Sequence, residues 1–307
     1  IKFFLSHDLW FMNERFFQNL ISGVSMGSIY ALAALGFNII YNATGIVNLA
    51  QGEFVMLGGM FMVLFGGTLG VPLGFAIIAS VFVVTLIGII FERTCINTLK
   101  NPTVMVLVMI TVAASIILKG VTMFLAGKEI HTMEYFSGGH GTVPLWGGKI
   151  PTQTFWVLGT LAVVVSALVI FFNFTLAGKA MRACAFDRTA ARLMGIPARR
   201  MVLLSFGLSS AISALAGAVI MPISMVDYQS GAMFGIKGFG AAILGGLGHN
   251  PGAVAAGLIL GILESLSAGY ISSHYKDALP LLILLIVLFI KPSGLFGSEA
   301  AGRLKKF

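Results

Sequence analysis

Nine apolar runs recur along this chain, near residues 16–41, 54–70, 72–91, 103–125, 154–173, 201–222, 231–248, 251–270 and 278–290. Their lengths constrain the fold more than any other feature. About 20 helical residues cross the hydrocarbon of a bilayer, where each backbone amide must find its partner within the protein. Composition agrees, with 58% of the 307 residues hydrophobic and 10% charged, against roughly 25% charged in a soluble domain. A soluble globular fold and a disordered chain are both excluded. The expected fold is an all-α polytopic membrane protein, a single transmembrane domain over 1–307 with about eight to nine transmembrane helices. Two runs are weaker, because 231–248 is Gly-rich and contains Lys237 while 278–290 is short. Each could be a broken or re-entrant helix.

The net charge of +8 has a location. Basic residues concentrate in 92–102, 175–200 and 291–307, and the positive-inside rule places all three segments in the cytoplasm. The loop 126–153 then faces outward. Counting 231–248 as a crossing leaves the C-terminus cytoplasmic and the N-terminus outside. The charge therefore marks loops rather than a nucleic-acid surface. Cys95 and Cys184 both fall in cytoplasmic segments and need no disulfide partner. The five His have no metal-ligand spacing. The N-terminal stretch IKFFLSHDLW lacks a small-residue cleavage site, so no signal peptide is expected, and Ile1 as first residue points to trimming.

Glycine is frequent, with 38 residues. In lipid, small residues let helix backbones approach closely, and Gly23/Gly27, Gly66/Gly70 and Gly257/Gly261 have the required spacing. They serve either packing within the chain or a subunit interface.

The stretch YALAALGFNIIYNATGIVNLAQGEFVMLGG at 30–59 is the most informative. An apolar helix runs into Asn42, Thr44, Gly45, Asn48, Gln51, Gly52 and Glu53. This is either a cytoplasmic hairpin between two crossings or an interrupted helix lining a solute pathway, where half-helix ends hold zwitterionic or ionic groups. A second stretch, LAGKAMRACAFDRTAARLMGIPARR at 176–200, reads as a basic, Ala-rich helix closed by Gly195 with Pro197 beyond it. It suits docking of an acidic partner, or it is a basic loop drawn to anionic lipid. Lys237 and Glu264 each lie about 9 Å below the outer end of their spans at 1.5 Å per residue. A lipid-facing charge there costs roughly 3 kcal/mol. They either compensate one another, or Lys237 snorkels and Glu264 bonds locally.

The runs GVSMGSIYALAALGFNIIYNATGIVNLAQGEF, GKAMRACAFDRTAARLMGI, KGFGAAILGGLGHNPGA, GLILGILESLSAGY and KPSGLFG, in this order, closely resemble the permease subunit of branched-chain amino-acid ABC importers, the LivH type. The resemblance extends from about Leu20 to Gly297. It implies a multi-pass permease of a bacterial inner membrane, forming half of a solute pathway. The implied partners are a second related permease, two cytoplasmic ATPases and a periplasmic solute-binding protein, with membrane lipid around them and no nucleic acid. It also implies that 178–195 contacts the ATPases, with Arg182, Asp187, Arg188 and Gly195 as coupling residues. Asn42, Gly45, Asn48, Gln51, Glu53, Lys237 and Glu264 are the pathway candidates. One departure is Ala50-Gln51, where the family usually has Ala-His before Gly-Glu. That bears on the solute, since relatives carry urea, short amides and aromatic acids as well as leucine, isoleucine and valine.

No G-x-x-x-x-G-K-[ST] loop occurs, and the nearest string, WGGKI at 146–150, lacks the spaced glycine and the Ser or Thr. ATP and magnesium are therefore expected on partner ATPases, with no cofactor, metal or catalytic residue in this chain. The alternative is a self-contained secondary transporter or channel. Such a protein normally carries several intramembrane carboxylates, and here only Glu53 and Glu264 qualify. An intramembrane enzyme is a third class, but no Ser/His or paired-Asp constellation lies within the spans.

Overall fold

The computed structural model describes residues 2–99, 103–139, 141–145 and 148–297. The apolar runs satisfy their backbones as helices, as a bilayer requires. In chain order these are α1 (Lys2–Thr44), α2 (Gln51–Met62), α3 (Leu73–Phe91), α4 (Val104–Ala126), α5 (Gln153–Phe174), α6 (Leu176–Phe186), α7 (Arg188–Leu193), α8 (Ala198–Ile220), α9 (Ser230–Gly245), α10 (Asn250–Tyr270) and α11 (Ala278–Ile290). Six are long and apolar enough to cross a membrane: Arg15–Thr44 of α1, Leu73–Ile96, which is α3 plus a π turn, and α4, α5, α8 and α10. α2 has 12 residues and continues into the π-helical Val63–Thr68, α9 has 16 and α11 has 13. The loop between α4 and α5 contains a hairpin that the sequence reading missed, β1 (Thr142–Leu145) antiparallel to β2 (Gly148–Pro151), with Val143 opposite Ile150.

α1 and α8 form the buried centre, where Tyr30, Phe37, Phe54 and Phe206 are among the largest fully buried side chains. α3, α4 and α5 lie outside them and present Phe82, Ile116, Ile117, Phe124 and Val163 outward. Backbone proximity sets the main crossing. A Cβ on Gly23 would lie 2.7 Å from the Ile262 Cα, and one on Gly27 would lie 2.8 Å from the Leu258 Cα. Gly257 and Gly261 meet Ala31 and Gly27 from the other side. These two glycine pairs thus pack against each other within the chain. Gly66 and Gly70 do not form such a crossing. Gly66 sits in the π turn against Met133, and Gly70 has φ 64° in the turn before Pro72.

The α4–α5 and α8–α9 loops are tied together. His131 and Val226 exchange backbone hydrogen bonds of 3.0 Å in each direction. Buried Gln153 accepts from the Phe136 amide at 3.1 Å and donates to the Val219 carbonyl at 2.9 Å.

Candidate transport site

α1 stops at Gly45, whose φ of 76° is left-handed and whose N–H donates to the Tyr41 carbonyl at 2.7 Å. Residues 46–50 then fold back along the helix they have just left. Ala50 packs in the same cluster as Ile40, and the Leu49 amide donates to the Thr111 Oγ1 at 3.3 Å. Gln51, the first residue of α2, donates through Nε2 to the Ser213 Oγ at 2.6 Å and to the Ser209 carbonyl at 3.4 Å. The Ser209 hydroxyl in turn donates to the Gly36 carbonyl at 2.8 Å. Gly36 is eight residues above the end of α1, about 12 Å. α2 therefore begins at mid-depth in the protein rather than at a membrane surface.

α9 begins at the same level from the other direction. After α8 the chain reverses past the His131–Val226 bridge. Asp227 then receives the amide hydrogens of Gln229 and Ser230 at 3.1 and 2.8 Å. The N-terminal turns of α2 and α9 touch through glycine. A Cβ on Gly52 would lie 2.6 Å from the Gly235 Cα and would overlap the Gly231 carbonyl oxygen. α2 heads toward the α8–α9 loop, bringing Gly59 against Val226. α9 heads the opposite way, toward the C-terminal end of α1, to the turn 246–249, where Asn42 Nδ2 donates to the Gly248 carbonyl and the Gly248 amide donates to Asn38 Oδ1, both at 3.0 Å. Two half-helices thus meet N-terminus to N-terminus, and each N-terminus carries about half a positive charge.

Glu53 sits at this junction, buried to 1% exposure. Its Oε1 accepts from the Ser115 hydroxyl at 2.8 Å and lies 3.4 Å from the Lys119 ammonium, both on α4. Its Oε2 faces Gly231 and has no hydrogen-bond partner among the described residues.

The second charged cluster lies toward the Tyr270 end of α10. Lys237 and Glu264 are brought together, with Nζ donating to Oε1 at 2.7 Å. Tyr30 donates to Glu264 Oε2 at 2.7 Å and accepts from Lys237 at 3.0 Å, and the ammonium stands 5.2 Å from the Tyr30 ring centroid. Asp277, just before α11, pairs with the same ammonium at 2.7 Å. Glu264 is six residues below Tyr270, the end of α10.

The other pathway candidates bond within the chain. Asn42 holds the α9–α10 turn, and Gly45 is an exposed turn residue. Asn48 Oδ1 accepts from the Ala50 amide at 3.1 Å, and Gln51 fastens α2 to α8. Residue reasoning missed Tyr30, Ser115, Lys119, Ser209, Ser213 and Asp277. Ser209 and Ser213 did carry a signal, being polar residues four apart within an apolar span and hence on one helix face.

In the basic segment 175–200, the expected single helix over 178–195 is two. Asp187 breaks it in extended geometry, φ −146° and ψ 109°, and its Oδ1 accepts from the Thr189 and Ala190 amides at 2.8 and 2.9 Å. It is the N-cap of α7, since an Asp side chain satisfies the free amides of a first turn. Gly195 ends α7 as expected, with φ 82° and the paired bonds Gly195 N to Arg192 O and Ile196 N to Ala191 O, both 3.0 Å. Arg182 donates to Asn173 Oδ1 at 3.2 Å. Phe186, Leu193 and Met194 are exposed beside Arg188 and Arg192. Cys184 is buried beneath them. Its burial pushes the thiol above its usual range, against the opposing pull of Arg188 and Arg192.

Six membrane-length helices around two half-helices that start inside the protein, with charges gathered at those starts, define a multi-pass membrane transport protein. The chain belongs to the branched-chain amino acid transport system / permease component family, whose pattern matches residues 19–288. It is 33% identical over 305 residues to the high-affinity branched-chain amino acid transport system permease protein LivH of Escherichia coli (strain K12), covering 93% of this chain and 98% of that one. It is 29% identical over 295 residues to the corresponding protein BraD of Pseudomonas aeruginosa, covering 92% and 96%. Among solved structures, PsaBC from Streptococcus pneumoniae in complex with Fab aligns with a TM-score of 0.47 and 19% identity over 91% of this chain and 92% of that one. That likeness is too weak to bear on function. The protein is a multi-pass inner-membrane permease component.

Proposed function

We propose that the chain is one transmembrane permease domain of an ABC importer, moving branched-chain amino acids or related small polar solutes with energy from partner ATPases. The observation that carries this reading is the junction of α2 and α9, where Glu53 keeps an unpartnered carboxylate oxygen between two helix N-termini. Opened, that junction offers an acceptor to a solute ammonium and helix dipoles to its carboxylate. Lys237, Glu264, Tyr30 and Asp277 form the charged layer toward the outer face. Asn42, Gly45, Asn48 and Gln51 hold the half-helix in place.

In this reading eight to nine helices cross, counting α2, α9 and α11, and the C-terminus is cytoplasmic. The loop 126–153 faces outward, towards a periplasmic solute-binding protein, and 175–200 faces inward. Support comes from the three basic segments and from the bonds joining the inner end of α1 to the α9–α10 turn. A second related permease completes the pathway. The α6–α7 surface docks an ATPase, with Arg182, Arg188 and Arg192 as its cations, Phe186, Leu193 and Met194 as apolar contacts, and Asp187 and Gly195 fixing its shape. ATP and magnesium are assigned to the ATPases, and this chain carries no catalytic site or metal of its own.

Reconstitution tests the reading. Vesicles holding this chain, a second permease, two ATPases and the binding protein are expected to accumulate labelled leucine only with ATP. Accumulation by this chain alone would instead make it a secondary transporter.

A further inference from the structure

A cleft of about 910 Å³ opens where the inner ends of α1 and α5 meet α6 and the start of α10. Its floor is apolar, formed by Val165, Leu168, Val169 and Phe172 of α5 with Val254 of α10. Its rim is polar and has a definite sign. Arg182 is held there by Asn173 and leaves most of its guanidinium donors unused. His249 accepts the Gly252 amide hydrogen through Nδ1 at 3.0 Å, which leaves the ring proton on Nε2 as a donor. Asn250 and Pro251, the first residues of α10, place the positive end of a 21-residue helix at the same rim. Among the described residues, no Asp or Glu lines the cleft.

We propose that this cleft binds an anionic phospholipid from the cytoplasmic leaflet. One acyl chain lies on the α5–α10 floor, and the phosphate sits between Arg182, His249 and the α10 N-terminus. The depth fits, since Asn42, Asn173 and Asn250 mark the inner ends of three helices and hence the headgroup level. Basic pockets between helices at that level favour anionic headgroups, whereas a neutral solute would not use the cation and dipole together. A bound lipid would wedge α6 against α5 and α10, and so link bilayer charge to the segment through which an ATPase would push. The lipid site rests on the orientation proposed above and shares Arg182 with the proposed ATPase surface, but lipid retention is read without any transport assay.

Native mass spectrometry of the full chain in equal mixtures of phosphatidylglycerol and phosphatidylcholine tests this. One retained phosphatidylglycerol with a preference of about fivefold or more is expected, falling to parity when Arg182→Gln and His249→Ala are combined. Equal retention of the two lipids by the unaltered chain would overturn the proposal. A second measurement does not rely on those variants. Tryptophan at Val169→Trp is expected to be quenched more by bromine-labelled phosphatidylglycerol than by bromine-labelled phosphatidylcholine, while Ile117→Trp on α4 sees the two alike. Equal quenching by both lipids at Val169→Trp would mean bulk lipid only. No quenching by either there would mean that protein fills the cleft. Both results contradict a bound anionic lipid.

Discussion

The two charged clusters within the membrane differ in how completely they are satisfied. Around Lys237 both oxygens of Glu264 are bonded, one to the ammonium and one to Tyr30, and Asp277 supplies a second counter-charge. Around Glu53 one oxygen is bonded to α4 and the other is not, although it is equally sealed from solvent. A buried carboxylate oxygen without a partner costs free energy that a purely structural site would avoid. The Lys237 cluster joins α1, α9, α10 and the start of α11. The Glu53 cluster leaves one carboxylate oxygen without a partner among the described residues, where α2 and α9 begin.

The largest expected effect lies at the contact that seals Glu53. Gly52→Val forces a side chain into the Gly231 and Gly235 backbone and should cost more than about 3 kcal/mol, giving no folded protein by size-exclusion chromatography. Gly120→Val on α4, where no atom lies within 4 Å, should stay within about 1 kcal/mol. Equal effects would break the picture of a close-packed junction.

Next comes the satisfied cluster. Lys237→Met leaves Glu264 as an uncompensated buried charge and should destabilise by about 3–5 kcal/mol in detergent melts. Adding Glu264→Gln should recover most of that loss, because the pair is coupled. Additive losses in the double variant would show that the two residues act separately.

How far the sequence foretold these clusters depends on what held them. Helix direction and residue counting put Lys237 and Glu264 at one depth but left pairing open beside snorkelling, and the 2.7 Å contact decides between them. Tyr30 was hidden in an apolar run, where a tyrosine reads as ordinary core, and Asp277 in a loop whose path no periodicity sets. The interruption after Thr44 was visible as a cluster of Asn, Gly and Gln. That the chain then climbs back to mid-depth was not, because Gln51 reaches Ser213 and Gly52 reaches Gly231 only in three dimensions. Gly66 and Gly70 show the converse: correct spacing for a crossing, but in a π turn and a left-handed turn instead. The Asp187 break was written in the sequence as an N-cap before Arg-Thr-Ala-Ala, but the Ala-rich flanks favoured one continuous helix.

Smaller effects belong to α6 and α7, where neither cluster reaches. Asp187→Ala removes two capping bonds and should loosen α7 by about 1 kcal/mol, seen as faster amide exchange at Thr189 and Ala190. If ATPase binding weakens together with it, the shape of α6–α7 matters to docking as proposed. The smallest effect is at Cys184. With its thiol pushed up by burial, less thiolate is present at a given pH than for a free cysteine. Maleimide labelling at pH 8 should therefore lag behind a model thiol and gain on it as pH rises further. Fast labelling at pH 7 would show that α6 lifts away from its seat.

The role proposed for the unpartnered Glu53 oxygen is tested most directly by Glu53→Gln in the reconstituted importer. The amide keeps the size of the side chain and its bond to Ser115 but loses the charge. ATP hydrolysis and thermal stability are expected to stay near those of the unaltered protein, while leucine uptake falls about tenfold or more, the loss of a hydrogen bond to a charged group. Uptake within about twofold of the unaltered protein would contradict the assignment of Glu53 to the solute.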